Sequence, residues 1–175
     1  MLDNVIYKLA YRRSVPEARP ALVSDRLGVT VGRGCMFFGS VDFGSEPYLI
    51  SMGDQVMLSE NIRFVTHDGG VRVLDNMGIL PKADVFGPIS IGSNVFIGMD
   101  AIILRGVTIG DNVVIGAGSI VTRNVDSNSV WAGVPARRIK SVEEYAEGLR
   151  DDAVPAYGMP ADEKKAMLQE RYGMR

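Results

Sequence analysis

The sequence contains a single histidine, His67, and this residue carries the most recognisable chemistry in the chain. Imidazole titrates near neutral pH, so a histidine can serve as a general base or acid. His67 is followed by Asp68, Gly69 and Gly70, and the two glycines keep the backbone adaptable there. A lone histidine is more often structural than catalytic, so its place in the fold must decide between the two interpretations.

A second group with binding chemistry is the basic cluster of Arg137, Arg138 and Lys140. Such side chains pair with phosphates, and an arginine fork suits a phosphate especially well. The alternative is a solvated surface. The formal net charge of −2 gives no reason to expect nucleic acid or an acidic membrane as a partner.

The elements that would position these residues are indicated by a six-residue repeat. Aliphatic residues occupy every sixth position in one run: Ile91, Ile97, Ile103, Ile109, Ile115 and Val121. A second register, four places on, is small or aliphatic throughout: Val95, Ala101, Val107, Val113, Ser119 and Val125. Neither a helix nor a simple strand has this period, whereas a parallel β-helix of hexapeptides does. Shorter blocks at residues 31–43 and 52–64 continue it, so we predict an all-β fold of about four three-sided coils.

The repeat also divides the chain. We predict an N-terminal helical or extended segment at 1–28, a β-helix at 29–140, and short C-terminal helices at 141–175. Ser141 and Glu144 form a capping box that opens the first of these helices. Residues 67–88 carry no repeat and predict a protruding loop, too apolar to be disordered and expected to pack on a neighbouring subunit. His67 stands where this loop leaves the coil, which favours a catalytic role.

Cysteine content and hydropathy bear on the location of the protein. The one cysteine, Cys35, cannot form an internal disulfide, and its inward register favours a packed core position over a nucleophile. No apolar run approaches the ~20 residues that span a bilayer, and the N-terminus lacks a signal-peptide core. We therefore expect a cytoplasmic protein without integral membrane contact.

Three stretches resemble one known family. They are residues 87–98 (GPISIGSNVFIG), 106–122 (GVTIGDNVVIGAGSIVT) and 133–137 (GVPAR), and they are similar to the hexapeptide-repeat acyltransferases. Within these, the sugar and polysaccharide O-acetyltransferases and the xenobiotic acetyltransferases are most similar, over about residues 29–145. The resemblance implies a left-handed β-helix, a homotrimer with active sites between subunits, acetyl-CoA as co-substrate and no metal. It also implies that His67 is the general base.

The resemblance assigns further residues one by one. It implies that six residues bind CoA. Met99 and Ala117 would line the pantetheine path, and Thr122 and Arg123 would lie at the end of the last coil. Arg137 and Lys140 would meet the nucleotide end of CoA. On the acceptor side, Phe96 stands where relatives have tryptophan beside the histidine, and Asp68 where sugar relatives often have proline. Trp131, near the closing turn, is expected to pack rather than to bind a ligand.

The leading hypothesis is O-acetylation of a saccharide hydroxyl in surface polysaccharide synthesis. The alternatives within the enzyme class are N-acetylation of an amino-sugar nucleotide and O-acetylation of a small xenobiotic or of serine. A non-catalytic β-helix scaffold is the alternative from another class. It would have regular threonine ladders and no protruding loop, and Thr108 and Thr122 form no such ladder in the sequence. A zinc enzyme of the γ-carbonic anhydrase type needs three histidine ligands per site, more than one His67 per chain supplies.

Overall fold

The computed structural model of the chain describes residues 2–174, with side chains from Tyr7 to Met174. Met1, the first residue of the predicted segment 1–28, and Arg175, the last residue of the predicted segment 141–175, lie outside the described residues. The strands are short, and in chain order they are β1 (Thr30–Val31), β2 (Met36–Phe37), β3 (Val41–Asp42), β4 (Ile50–Met52), β5 (Met57–Leu58), β6 (Ile62–Val65), β7 (Ile89–Ile91), β8 (Val95–Ile97), β9 (Ile102–Leu104), β10 (Thr108–Ile109), β11 (Val113–Ile115), β12 (Ile120–Val121), β13 (Ser129–Ala132) and β14 (Arg137–Ser141).

Successive strands enter three sheets in rotation. Sheet A has the order β1-β4-β7-β10, sheet B the order β2-β5-β8-β11-β13-β14, and sheet C the order β3-β6-β9-β12. The neighbours pair in parallel, except that β14 runs antiparallel to β13. Ile91 pairs with Ile109, three hexads further along the chain. The chain therefore winds as a parallel β-helix with three-sided coils, as the six-residue repeat predicts.

The interior is filled by the apolar residues of the repeat. On sheet B, one inward column is in register from strand to strand and fully buried: Phe37, Leu58, Ile97 and Ile115. Burial of each such side chain contributes about 1.5–3 kcal/mol, so the stacked columns are the main source of stability. Cys35 is buried in the same core, and burial raises the pKa of its thiol. The raised pKa disfavours the thiolate form, in agreement with the predicted packing role.

The corners that follow the strands of sheet A depend on residues that tolerate a left-handed backbone. Asn94, Asn112 and Asn128 have φ values of 55°, 54° and 57° and lie above one another. The side-chain amide of Asn94 donates to Asn112, and that of Asn112 donates to Asn128, both at 2.8 Å. Just before this corner, a Cβ on Gly92 would lie 2.8 Å from the carbonyl carbon of Gly110. Glycine at position 92 thus allows successive coils to approach closely.

The outer surface of sheet A carries a column of hydroxyl-bearing residues in register: Thr30, Ser51, Ser90 and Thr108. Thr108 lies on β10 of sheet A and Thr122 directly follows β12 of sheet C, so these two threonines form no ladder, as expected. The protruding loop also separates this fold from an uninterrupted prism.

Two helices precede the first coil, α1 (Leu2–Arg13) and α2 (Arg19–Leu27). The Tyr11 hydroxyl donates to the Gly39 carbonyl at 3.0 Å. The Arg19 guanidinium lies over the Tyr11 ring and donates to the carbonyls of Phe37 and Phe38 at 2.8 and 2.5 Å. These bonds occupy backbone acceptors at the end of β2, the first strand of sheet B.

The loop at 67–88 leaves the coil after β6 and returns at β7, and it contains a short helix, α3 (Val71–Asn76). Arg72 pairs with Asp75 at 2.6 Å, and Asp75 accepts a hydrogen bond from the Lys82 amide at 2.8 Å. The loop is thus internally ordered. Several of its apolar side chains are exposed in the single chain: Val73, Met77, Ile79, Leu80 and Phe86.

Beyond β14 the chain forms α4 (Val142–Leu149) and α5 (Ala161–Tyr172). The predicted capping box is present, since Ser141 and Glu144 exchange side-chain to backbone hydrogen bonds at 2.6 and 3.1 Å. The chain forms two compact units, one ending at Tyr145 and one beginning at Ala146. Over residues 2–174, no helix combines the length and the apolar character required to cross a membrane.

Candidate functional site

His67 lies at the base of the loop, where the two ends of the loop pair with each other. His67 forms an antiparallel bridge with Phe86. The Asp68 amide donates to the Val85 carbonyl at 2.8 Å, and the Gly87 amide donates to the Thr66 carbonyl at 2.9 Å. This pairing of residues 66–68 with residues 85–87, called the neck below, holds His67 at a fixed place at the edge of the β-helix.

A cavity of about 290 Å³ opens beside the imidazole. It is bordered by residues from the turn before β4, from the neck and from the loop: Ser45, Glu46, His67, Asp68, Gly69, Val71, Arg72, Asp84, Val85 and Phe86. The His67 side chain is 45% exposed, so a ligand can reach it. The cavity therefore combines a fixed imidazole with a polar wall.

The Nδ1 side of the imidazole is occupied by two partners. Glu46 Oε2 lies 3.3 Å and Ser45 Oγ 3.2 Å from Nδ1. The same Glu46 oxygen accepts hydrogen bonds from the hydroxyls of Thr66 at 2.7 Å and Ser45 at 3.0 Å. These bonds, that of Thr66 first, lower the pKa of Glu46, and the nearby imidazole adds to the effect. An ionised Glu46 favours a proton on Nδ1, which leaves Nε2 free to accept one.

Asp68 contacts Arg105, whereas the preceding residue, His67, contacts Glu46. Its carboxylate pairs with Arg105 at 3.1 Å and accepts the Gly70 amide at 3.0 Å. Both contacts lower the pKa of Asp68, that with the Arg105 side chain first. Arg105 follows β9, one coil away from His67. Asp68 is thus held toward the next coil of the β-helix.

The predicted CoA-binding residues fall at two edges of sheet C. Its strands are parallel, so all their N-terminal ends share one edge and all their C-terminal ends the other. Met99 and Ala117 are exposed before β9 and β12, at the N-terminal edge. Thr122 and Arg123 are exposed after β12, at the C-terminal edge where His67 lies. A three-residue strand separates the edges by roughly 10 Å, so one chain does not bring the two sets together.

Arg137 and Lys140 both lie on β14, the antiparallel strand of sheet B. Arg137 pairs with Ala132 and Lys140 with Val130 of β13. Arg137 is exposed and Lys140 is partly exposed. The turn that presents this strand is packed by Trp131, which is buried and donates to Ser129 at 3.0 Å, as expected for a packing role.

Phe96 lies on the outer face of sheet B, and the His67 cavity lies at an edge of sheet C. In the single chain the aromatic residue of that cavity is Phe86, and Phe96 is not beside the imidazole. Phe96 lies instead in a groove of about 440 Å³ with Met57, Val114 and the asparagine column. The predicted pairing of Phe96 with His67 could therefore only be made across two chains.

Sequence reasoning missed three residues around His67, which are Ser45, Glu46 and Phe86, and it missed Arg105, which contacts Asp68. Ser45 and Glu46 lie in the interruption between β3 and β4, and this break in the repeat was a usable signal. Phe86 is an apolar residue at the return of the loop. Nothing local marks Arg105, because its contact depends on the register of β6 against β9.

Among the side chains from Tyr7 to Met174, the structure contains no cluster of three or more histidine, cysteine, aspartate or glutamate residues arranged to hold a metal ion.

Comparison with known proteins gives consistent matches. A family profile described as "Hexapeptide repeat of succinyl-transferase" matches residues 88–123. Protein CapG of Staphylococcus aureus is 47% identical over 150 residues, covering 84% of this chain and 86% of CapG. Galactoside acetyltransferase in complex with coenzyme A is 29% identical, with a TM-score of 0.54, over 83% of this chain and 82% of its own. A maltose O-acetyltransferase from Clostridium difficile 630 is 28% identical, with a TM-score of 0.50, over 78% of this chain and 82% of its own.

Proposed function

Since the chain belongs to the hexapeptide-repeat acetyltransferase family, and is an enzyme with that left-handed β-helical fold, we propose that it transfers the acetyl group of acetyl-CoA to a hydroxyl of a saccharide. The donor is supported by the galactoside acetyltransferase neighbour, which was solved with coenzyme A. The acceptor class is supported by that neighbour and by the maltose O-acetyltransferase. We place the reaction in surface polysaccharide synthesis.

The observation that carries the proposal is the arrangement around His67. The imidazole has its Nδ1 side against Glu46 and Ser45 and opens into the cavity at the base of the loop. A base in this arrangement accepts a proton at Nε2 from a bound hydroxyl. General-base catalysis of this kind contributes about 10²–10⁴-fold in rate.

The reaction proceeds by direct attack. As Nε2 takes the proton, the acceptor oxygen attacks the thioester carbonyl, the carbon–sulfur bond breaks, and the coenzyme A thiolate leaves. The imidazolium then returns the proton to the sulfur, so that His67 is regenerated. Glu46 acts on the ring alone: it orients the imidazole and stabilises its charged form.

The proposed CoA site uses exposed residues of suitable chemistry. Ala117 is small and, like Met99, exposed at the N-terminal edge of sheet C, so this edge leaves room for a pantetheine arm. Arg123, Arg137 and Lys140 supply the cations that a nucleotide with several phosphates requires. Thr122 adds a hydroxyl next to Arg123.

We further propose a homotrimer in which each active site lies between two subunits. His67 and Arg123 lie at one edge of sheet C, whereas Met99 and Ala117 lie at the other. A cleft between chains would unite the C-terminal edge of one chain with the N-terminal edge of its neighbour. It would also bring Phe96 to the imidazole and cover the exposed apolar side chains of the loop.

Measurement of thiol release tests the function. The purified protein is given acetyl-CoA and a panel of saccharides, amino sugars, amino-sugar nucleotides, serine and a hydroxylated xenobiotic. We expect saccharide hydroxyls to stimulate release. We also expect His67→Ala to lower turnover by at least about a hundredfold and to leave the affinity for CoA nearly unchanged. Stimulation by amines alone would contradict O-acetylation, and normal turnover in His67→Ala would remove His67 from the mechanism.

A further inference from the structure

The residue next to the proposed base carries a charge that is balanced from another coil. Asp68 follows His67 directly, and the imidazolium form of His67 is among the influences that lower the pKa of Asp68. The influence is mutual, so an unbalanced Asp68 carboxylate would stabilise the protonated imidazole. A protonated imidazole cannot act as a base. Glu46 already places one carboxylate at Nδ1, so an Asp68 charge that is not offset would add a second one next to the imidazole.

Arg105 supplies that offset. Its guanidinium lies 3.1 Å from Asp68 Oδ2, and the side chains of Arg105 and Asp68 are 37% and 48% exposed. Arg105 belongs to the coil that follows His67 in the stack, so its position is set by the β-helix and not by the loop. Further charged groups border the cavity from the turn before β4 and from the loop: Glu46, Arg72 and Asp84.

The pair is not required to hold the neck together. The neck is already fixed by backbone hydrogen bonds of Asp68 to Val85 and of Gly87 to Thr66. The Asp68 carboxylate has in addition the Gly70 amide as a partner. An exposed ion pair added to this framework contributes little stability, about 0–1 kcal/mol. Its main effect is on the local electrostatic field.

We propose that Arg105 is a positioning residue for the acetyl transfer, which holds the Asp68 carboxylate and offsets its charge next to the imidazole of His67. This inference rests on the proposed function, in which His67 is the base. It assigns to Arg105 an action through Asp68 and His67 and no contact with substrate.

The single histidine permits a direct test in the free enzyme. Because the chain has one histidine, the NMR signals of its imidazole follow the titration of His67 without ambiguity of assignment. We expect Arg105→Met to raise the titration midpoint by about half a pH unit relative to wild type. Arg105→Lys, which keeps a cation, should stay near wild type. Arg105→Met combined with Asp68→Asn, which removes both charges, should return to within about two tenths of a unit of wild type.

Controls separate this effect from a change in structure. Arg33 pairs with Asp54 at 2.9 Å in the same exposed manner, but far along the chain from the neck. Arg33→Met should leave the midpoint unchanged. The shift in Arg105→Met should shrink in high salt, since exposed charges are screened. An unshifted midpoint in Arg105→Met, or a shift that Asp68→Asn does not reverse, would overturn the proposal.

The pH dependence of kcat then distinguishes a failure of the proposed role of Arg105 from a failure of the proposed function. We expect the acidic limb of the rate profile in Arg105→Met to move to higher pH by the same amount as the NMR midpoint. A shifted midpoint with an unshifted rate profile would contradict His67 as the base, and with it the proposed function. An unshifted midpoint would overturn the role of Arg105 alone.

Discussion

Glu46 contacts the imidazole of His67 at Nδ1, so the charge of its carboxylate acts directly on the proposed base. The hydroxyls of Thr66 and Ser45 lower the pKa of Glu46, so the carboxylate remains ionised while an imidazole titrates. Glu46→Gln removes a negative charge that stabilises the imidazolium. We therefore expect the acidic limb of the kcat profile to move to lower pH, opposite to the effect of Arg105→Met. We also expect kcat at the optimum to fall roughly tenfold or more, because glutamine holds the ring orientation less well.

The matched control is Glu147→Gln: among the side chains that the structure describes, the ion-pair partner of Glu147 is Arg150, directly after α4. Its rate profile should coincide with that of wild type. A shift of the acidic limb in this control would indicate a general charge effect. An unmoved acidic limb in Glu46→Gln would contradict the contact that the structure shows.

At the residue scale, the sequence singles out His67 as the candidate base because the residue is the one histidine of the chain and stands where the repeat ends. It does not identify Glu46 as a neighbour of His67, or Arg105 as a neighbour of Asp68. Their contacts join different coils, and the pairing of coils depends on how many residues each interruption adds. Ile50 pairs with Ile89 across the whole loop, and no local pattern in the sequence gives this register.

Among the structural elements, the corner at Gly92 gives a prediction about stability. A Cβ at this position would collide with the backbone of Gly110, which cannot move without displacing the next coil. We expect Gly92→Ala to lower the free energy of unfolding by about 1–3 kcal/mol. Denaturant unfolding followed by circular dichroism measures the change.

Gly148→Ala is the matched control, because a Cβ on Gly148 meets no atom within 4 Å and the residue lies inside α4. Alanine favours a helix interior by about 0.5–1 kcal/mol, so this variant should be as stable as wild type or slightly more so. Equal stability of Gly92→Ala and wild type would show that the coils have room that the structure does not indicate.

At the same scale, elements with a strong local pattern were predictable and elements held by tertiary contacts were not. The six-residue repeat predicts the parallel strands, and Ser141 with Glu144 predicts the start of α4. Helix α3 has only six residues and is supported by contacts within the loop, such as that of Arg72 with Asp75. Strand β14 reverses the direction of sheet B, and its sequence, rich in basic residues, has no repeat that would indicate pairing.

For the whole molecule, the proposed sharing of active sites can be tested with two inactive variants. His67→Ala removes the proposed base, and Ala117→Trp fills the proposed pantetheine path. When both variants are produced together, mixed trimers contain sites built from the intact His67 of one chain and the intact Ala117 of its neighbour. We expect about a quarter of wild-type activity from equal amounts of the two, by random assembly. Each variant alone should be inactive.

The control for this experiment is His67→Ala produced with His67→Asn, which should remain inactive in every mixture. Light scattering should give a mass about three times the 19.0 kDa of the chain. Absence of recovery in mixed assemblies of that mass would contradict a site shared between subunits.

The two ends of sheet B have a consequence for assembly along the β-helix axis. At one end β14 lies antiparallel and departs from the parallel pattern; at the other, Arg19 occupies the carbonyls of Phe37 and Phe38. A stack of parallel strands without such terminators is a template for another stack, as in fibres. Arg19→Ala would uncover the Phe37 carbonyl at that edge, and we expect it to speed the formation of thioflavin-binding fibrils on mild heating. The Arg19 guanidinium thus blocks the edge of sheet B and disfavours end-to-end polymerisation of the protein into filaments.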